Sequence, residues 1–249
     1  MSFIAIIPAR YGSTRFPGKP LAEINGKTMI QRVFEQASKS FETVYIATDD
    51  KRIAKNIEGF GGKYIMTSRR HKSGTDRLAE AIEKIRELEG KDFEVVVNVQ
   101  GDEPFVQPEQ FDQIKKPFRY KRTQIATLAK PIINQEDIFN PNKPKVIFNR
   151  KKEAIYFSRS PIPFVRGKRE QKWIFQHQFY KHIGLYAYRY KVLKEIAALE
   201  RTPLEIAESL EQLRWIENGY KIRVELTEHE AVSIDTKKDL ERLEHIGLI

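Results

Sequence analysis

The N-terminal part of the chain alternates short apolar runs with stretches of helical spacing, and this alternation constrains the fold more than any other feature. Phe3 to Pro8, Val44 to Thr48, Tyr64 to Met66 and Val95 to Val99 read as strands. Between them Met29, Val33 and Ala37 recur at helical spacing, Ile53 to Ile57 reads as a second helix, and residues 75–88 as a third. Strands that alternate with helices pair in parallel, because each crossover returns the chain to the same edge. Their continuous apolar character implies that helices cover both sheet faces. The expected architecture is a three-layer α/β/α sandwich. Ligands of such sheets bind beyond the carboxyl ends of the strands, so the loops after Ile7, Thr48 and Val99 mark the expected site.

From about Thr123 the pattern changes. Gln124 to Lys130, Lys145 to Asn149 and Ala154 to Ser158 read as strands with little helix between them, which suggests a β-rich lobe inserted at about 123–190. Within it Gly167 to Gln178 is polar and basic and reads as an exposed, mobile loop. The tail returns to helix at Leu204 to Glu217, strand at Tyr220 to Leu226 and a last helix from Lys237. With no repeat or linker in 249 residues, the expectation is a single unit spanning 1–249 with that insertion.

The absence of cysteine removes disulfides, thiolate catalysis and sulfur-ligated zinc, leaving carboxylates and histidines as metal ligands. The apolar run at Phe3 to Ile7, cut by Pro8 and Arg10, is too short for a secretory or membrane segment, so a cytoplasmic enzyme without membrane association is expected. A formal charge of +10 favours anionic partners. The charge alone does not choose among nucleic acid, a membrane surface and phosphorylated metabolites, but the basic residues are interleaved with 34 acids rather than gathered on one face or tail, which puts a small polyanion on at least equal footing. A basic nucleic-acid-binding module stands as the rival from another class, and it predicts steeply salt-dependent DNA retention.

The loop Pro8-Ala9-Arg10-Tyr11-Gly12-Ser13-Thr14-Arg15-Phe16-Pro17-Gly18-Lys19-Pro20 places three cations, two glycines and two hydroxyls after the first strand. Glycines let backbone N–H groups approach phosphate oxygens while Arg and Lys neutralise them. The glycine spacing is one residue too long for a Walker A loop, and no G-x-G-x-x-G is present. A basic surface turn is the plain alternative. Asp102 in Gln100-Gly101-Asp102-Glu103-Pro104 follows the best strand, where a carboxylate suits Mg²⁺ or simply caps the next helix. Ser73 or Thr75 can cap the helix after Gly74, but a cation at Arg77 in a first helical turn calls for an anion or a base nearby. His182 and Tyr186 lie in a stretch that alternates like a strand, and Arg159 is open to a carboxylate ligand or to a surface ion pair.

The N-terminal loop resembles the nucleotide-binding signature of sugar nucleotidyltransferases, and in its details that of the 3-deoxy-manno-octulosonate (Kdo) cytidylyltransferases. His71-Lys72-Ser73-Gly74-Thr75-Asp76-Arg77, the Gln100 to Pro104 segment, Tyr156-Phe157-Ser158-Arg159, His182-Ile183-Gly184-Leu185-Tyr186, Leu210-Glu211-Gln212-Leu213-Arg214 and Asp235-Thr236 follow in family order over nearly the whole chain. The resemblance implies a mostly parallel, Rossmann-like sheet of the nucleotide-diphospho-sugar transferase type. It also implies a homodimer joined through the β-rich lobe, and transfer of CMP from CTP to Kdo for lipopolysaccharide assembly. Arg10, Ser13, Arg15, Lys19, Ser73, Arg77 and Asp102 would then bind the nucleotide, with Arg10, Arg15, Lys19 and Asp102 serving catalysis. Gln100, Arg159, His182, Tyr186, Glu211 and Gln212 would surround the sugar acid, and Asp102 with Asp235 would hold Mg²⁺. Glu103 is typical of the Kdo enzymes, whereas 8-amino-Kdo or another nonulosonic acid is the alternative acceptor. The family places Gly two residues before the late Asp, where this chain has Ser233.

Overall fold

The computed structural model describes residues 1–12, 15–71, 73–230 and 232–245. Its contacts group into two compact units, Met1–Phe111 with Ala231–Ile249, and Asp112–Glu230.

The first unit opens with β1 (Phe3–Ala9), a short hairpin of β2 (Glu23–Ile24) and β3 (Lys27–Thr28), and α1 (Met29–Ser38). There follow β4 (Val44–Thr48), α2 (Lys51–Gly59), β5 (Tyr64–Met66), α3 (Gly74–Glu89) and β6 (Val95–Asn98). Strands β6, β1, β4 and β5 lie side by side and parallel, with Ile6 opposite Asn98 on one side and Tyr45 on the other. Every residue of β4 and β6 is buried. Successive strand residues face opposite ways, so complete burial means both faces are covered, as the apolar runs required. The covering helices show why they form. Leu78, Ala81, Ile82 and Ile85 of α3 repeat at i, i+3, i+4 and i+7 and are fully buried, each large one contributing about 1.5–3 kcal/mol. Ser73 caps α3 and shares a capping box with Asp76, while Asp50 caps α2 by accepting the Arg52 N–H at 2.9 Å. Two elements were not evident in the sequence: the β2–β3 hairpin, and α4 (Pro108–Lys115), which leads out of this unit.

The second unit contains β7 (Ile125–Pro131), α5 (Gln135–Phe139), β8 (Lys145–Phe148), β9 (Ala154–Ser158), β10 (Tyr180–Arg189), α6 (Tyr190–Ala197), α7 (Pro203–Glu208), α8 (Gln212–Glu217) and β11 (Ile222–Leu226). Strand β7 pairs parallel with β11 and antiparallel with β10, while β8 is antiparallel to both β9 and β10. The helix expected over 204–217 is two helices, because Ser209 adopts a left-handed conformation (φ 52°) that ends α7. The loop expected at 167–178 is not simply exposed: residues 170–175 form a 3-10 turn whose Trp173 is buried with Ile132, Ile138 and Phe179. A single buried aromatic has no periodicity, so no local pattern marks this anchor. The chain returns to the first unit through α9 (Lys237–His245). Among the described residues no helix is long and apolar enough to cross a membrane.

Candidate active site

The basic loop after β1 is shaped by its own backbone. Gly18 sits at φ 73°, its N–H donates to the Tyr11 carbonyl at 3.0 Å, and the Lys19 N–H donates to the Phe16 carbonyl at 3.1 Å. Phe16 is 6% exposed and packs with Ile24, Met29, Ile234 and Leu243, with Phe105 against the same cluster. One apolar cluster therefore fixes the loop bearing Arg15 and Lys19, the loop bearing Asp102, and the segment bearing Asp235.

Above that cluster the charges meet. Lys19 Nζ donates to Asp102 Oδ2 at 2.6 Å and to Asp235 Oδ1 at 3.3 Å, and Arg15 Nη2 donates to Asp235 Oδ1 at 3.1 Å. The two carboxylates are also tied through the backbone, since the Ile234 N–H donates to the Asp102 carbonyl at 3.0 Å. Asp239, in the first turn of α9, accepts from the Asp235 and Thr236 N–H groups at 3.0 and 2.8 Å. Beside the pair, burial and then the charges of Asp102 and Asp235 push the Glu103 carboxyl up to about 8. Gly101 is required by packing: a Cβ there would lie 2.9 Å from the Pro8 carbonyl oxygen.

These groups line a cleft of about 470 Å³ together with Arg10, Ser73, Gly74, Arg77 and Gln100. Arg10 is exposed, and Ser73 enters from the N-terminus of α3. The buried Arg77 has the anion that its first-turn position demanded. Its Nη2 donates to Asp49 Oδ2 at 2.8 Å and its Nη1 to Thr67 Oγ1 at 2.5 Å. Ser13 lies outside the described residues. A polar cleft that offers several cations at the carboxyl edge of a parallel sheet can hold a polyphosphate.

The carboxylate pair also suits a hard divalent cation, because a protonated amine already bridges the two and the donors are all oxygen. Among the described residues no three His, Asp or Glu side chains gather as a metal-ligand group. A metal at Asp102 and Asp235 would therefore draw its remaining ligands from substrate and water, the usual arrangement for Mg²⁺.

The other expected sugar contacts belong to the second unit, whereas Gln100 belongs to the first. Strand β10 carries His182 and Tyr186 with their rings 5.3 Å apart, and Phe157 meets the His182 ring edge-on at 5.0 Å. Burial holds the His182 imidazole down at about 3, so it is neutral. Thr127 Oγ1 lies 3.1 Å from His182 Nε2 and within hydrogen-bond reach of the Ile183 and Leu185 carbonyls at 3.1 and 2.9 Å. Trp215 of α8 packs edge-on against Tyr186 at 5.2 Å. The buried Gln212 Nε2 and Trp215 Nε1 have no hydrogen-bond partner among the described residues. Arg214, next to Gln212, pairs with Glu205 at 2.8 Å and with Glu211 at 3.4 Å. Arg159 stands at the end of β9 against the α7–α8 corner.

Sequence reasoning missed several supporting residues. Arg52 lies 3.3 Å over the Tyr11 ring and is held by Asp50 at 2.7 Å, an interaction that brings the Asp50 carboxyl down to about 2. This anchors the basic loop to the start of α2. The acidic turn Asp49-Asp50 after β4 was the visible signal, since it lies on the ligand-binding edge. Nothing local singled out Asp239, Trp215, Lys145 or Glu208.

The cytidylyltransferase family pattern matches residues 4–222. A 3-deoxy-manno-octulosonate cytidylyltransferase of Parabacteroides distasonis is 58% identical, over 97% of this chain and 96% of the relative. One of Thermodesulfovibrio yellowstonii is 50% identical over 97% and 96%. A solved structure of CMP:2-keto-3-deoxy-manno-octonic acid synthetase complexed with CTP superposes with a TM-score of 0.89 at 38% identity, covering 99% of this chain and 98% of that one. The mostly parallel α/β fold is thus shared along the chain.

Proposed function

Because the chain belongs to the 3-deoxy-manno-octulosonate cytidylyltransferases of the cytidylyltransferase family, we propose that it transfers CMP from CTP to Kdo, releasing pyrophosphate. The observation that carries this reading is the meeting of Arg15, Lys19, Asp102 and Asp235 in a polar cleft at the sheet edge.

In this reading Arg10, Arg15 and Lys19 hold the triphosphate of CTP, and Ser73 and Arg77 face the nucleotide from the start of α3. The Kdo 2-hydroxyl oxygen forms a bond to the α-phosphorus while the α–β bridging bond breaks. The hydroxyl proton passes to solvent water, and the electron pair of the broken P–O bond departs on pyrophosphate. Such a displacement asks the protein mainly to position reactants and to offset charge, so no nucleophilic side chain is needed. Lys19 neutralises the leaving group, and the Asp102 and Asp235 carboxylates are fixed beforehand by the Ile234 and Asp239 contacts. Asp102 and Asp235 would hold Mg²⁺, which when bound supplies further charge neutralisation at phosphate oxygen. Arg159 offers a planar pair of donors to the Kdo carboxylate, and His182, Tyr186, Glu211 and Gln212 of the same unit complete its sugar contacts.

A homodimer is supported by Ile133, Phe164 and Phe175, which are 84, 74 and 75% exposed in the second unit. A cytoplasmic enzyme is supported by the chemistry of its nucleotide substrate. Pyrophosphate release over a matrix of CTP, UTP and ATP against Kdo, 8-amino-Kdo and sialic acid, with and without Mg²⁺, tests the whole reading. Turnover is expected for CTP with Kdo and Mg²⁺; no product from that pair, with product from another, would overturn it.

A further inference from the structure

Arg159 is held at more points than a surface arginine needs. Its N–H donates to Glu208 Oε2 at 2.9 Å, and its carbonyl accepts from Lys145 Nζ at 2.6 Å. Its Nε donates to the Glu208 carbonyl at 2.7 Å, Nη1 to the Pro141 carbonyl at 2.9 Å and Nη2 to the Ser209 carbonyl at 3.4 Å. The guanidinium partners are all neutral carbonyls. Among the described residues no carboxylate pairs with it, and two of its five N–H groups remain for a ligand.

The unusual partner is Glu208. Its carboxylate is the natural mate for a guanidinium, yet it accepts from the Arg159 backbone N–H and from Ser158 Oγ, at 2.5 Å. The acid therefore fixes where Arg159 stands without neutralising its charge. The left-handed Ser209 then turns the chain so that both α7 terminal carbonyls reach the same side chain, three residues before Gln212. Lys145, 0% exposed, ties the Arg159 carbonyl to the Asn140 carbonyl at 3.0 Å from the other side.

We propose that Glu208 is a positioning residue for the acceptor: it locks Arg159, through Ser158 and the Arg159 amide, into the place where its unpaired guanidinium takes the sugar-acid carboxylate. This rests on the reading of Arg159 given above. Loss of the lock lets Arg159 shift, and misplacement of about 1 Å at a positioning contact costs one to two orders of magnitude.

The test is steady-state pyrophosphate release with Kdo varied at saturating CTP, and CTP varied at saturating Kdo, alongside thermal unfolding. Glu208→Ala should raise KM for Kdo about tenfold or more and leave KM for CTP within about twofold. Glu208→Gln should recover most of that loss, because its amide can accept from the Arg159 N–H and donate to a turned Ser158 hydroxyl. Ser158→Ala, which removes one of the two locks, should give a smaller rise and decides the matter should Glu208→Ala not fold. A change in both KM values together, or in neither, would overturn the proposal. Arg159→Met separates the two ideas. If it leaves KM for Kdo unchanged, the reading of Arg159 fails; if it raises KM while Glu208→Ala does not, only the positioning role fails.

Discussion

Replacing Lys19 by Met should strengthen the binding of a divalent metal to the nucleotide-free protein while it removes turnover. In the free protein the ammonium bridges Asp102 and Asp235 at 2.6 and 3.3 Å, so a metal entering alone must first displace it. A hydrogen bond to a charged group contributes about 1.5–3 kcal/mol. Asp102 and Lys19 are 27 and 16% exposed, but Asp235 is 37% exposed, so its longer bond is largely screened. Only the Asp102 bond is then counted. Its removal corresponds to a 10- to 100-fold tighter metal Kd, at about 1.4 kcal/mol for each factor of ten. Nucleotide changes the balance, because its phosphates offer Lys19 another anion. The assay is titration of Mn²⁺ alone, read from the free-ion paramagnetic resonance signal, on the wild type, Lys19→Met and Lys19→Met with Asp102→Asn. The single variant should bind tighter than the wild type and the double variant weaker than the single. Equal or weaker binding by Lys19→Met would refute the competition between ammonium and metal.

Asp102→Asn should lower turnover by about two orders of magnitude or more in a protein that still unfolds cooperatively, since it keeps the shape and removes the charge; near-normal activity would exclude a ligand role. Gly101→Ala should destabilise the protein by about 1–3 kcal/mol in urea unfolding, because its Cβ meets the Pro8 carbonyl at 2.9 Å and β1 cannot yield freely. A neutral result would mean that the two loops move apart easily. His182 gives a pH prediction. Its folded value of about 3 lies below the ordinary 6.5, so the unfolded chain takes up the extra proton and stability is lost as pH falls below 6.5. Between pH 7.5 and 5 that loss is about 2 kcal/mol, and His182→Gln should show it as a smaller drop in the urea midpoint. Identical pH profiles for the two proteins would show that the imidazole is not kept neutral.

The architecture of the first unit was legible because burial on both faces leaves continuous apolar runs, and helices leave a 3.6-residue repeat. Strands Val44–Thr48 and Tyr64–Met66 fall where those runs predicted. The basic loop, the acidic turn after β6 and a hydroxyl cap at Ser73 or Thr75 were equally readable, since each is a local chemical statement; the structure assigns the cap to Ser73. The tertiary structure alone decided which of these distant segments meet. Lys19 reaches Asp102 and Asp235 across 83 and 216 positions because Phe16, Ile24, Met29 and Ile234 share one apolar cluster, and no periodicity within a window records such a partnership. The same holds for Glu208 with Arg159, and for Trp173 in a stretch whose composition spoke for solvent. Sequence pattern reports which face of an element leaves water, and that is a property of neighbours along the chain. The identity of the partner across the core, and the charge left unpaired beside it, arise only when those faces close on one another.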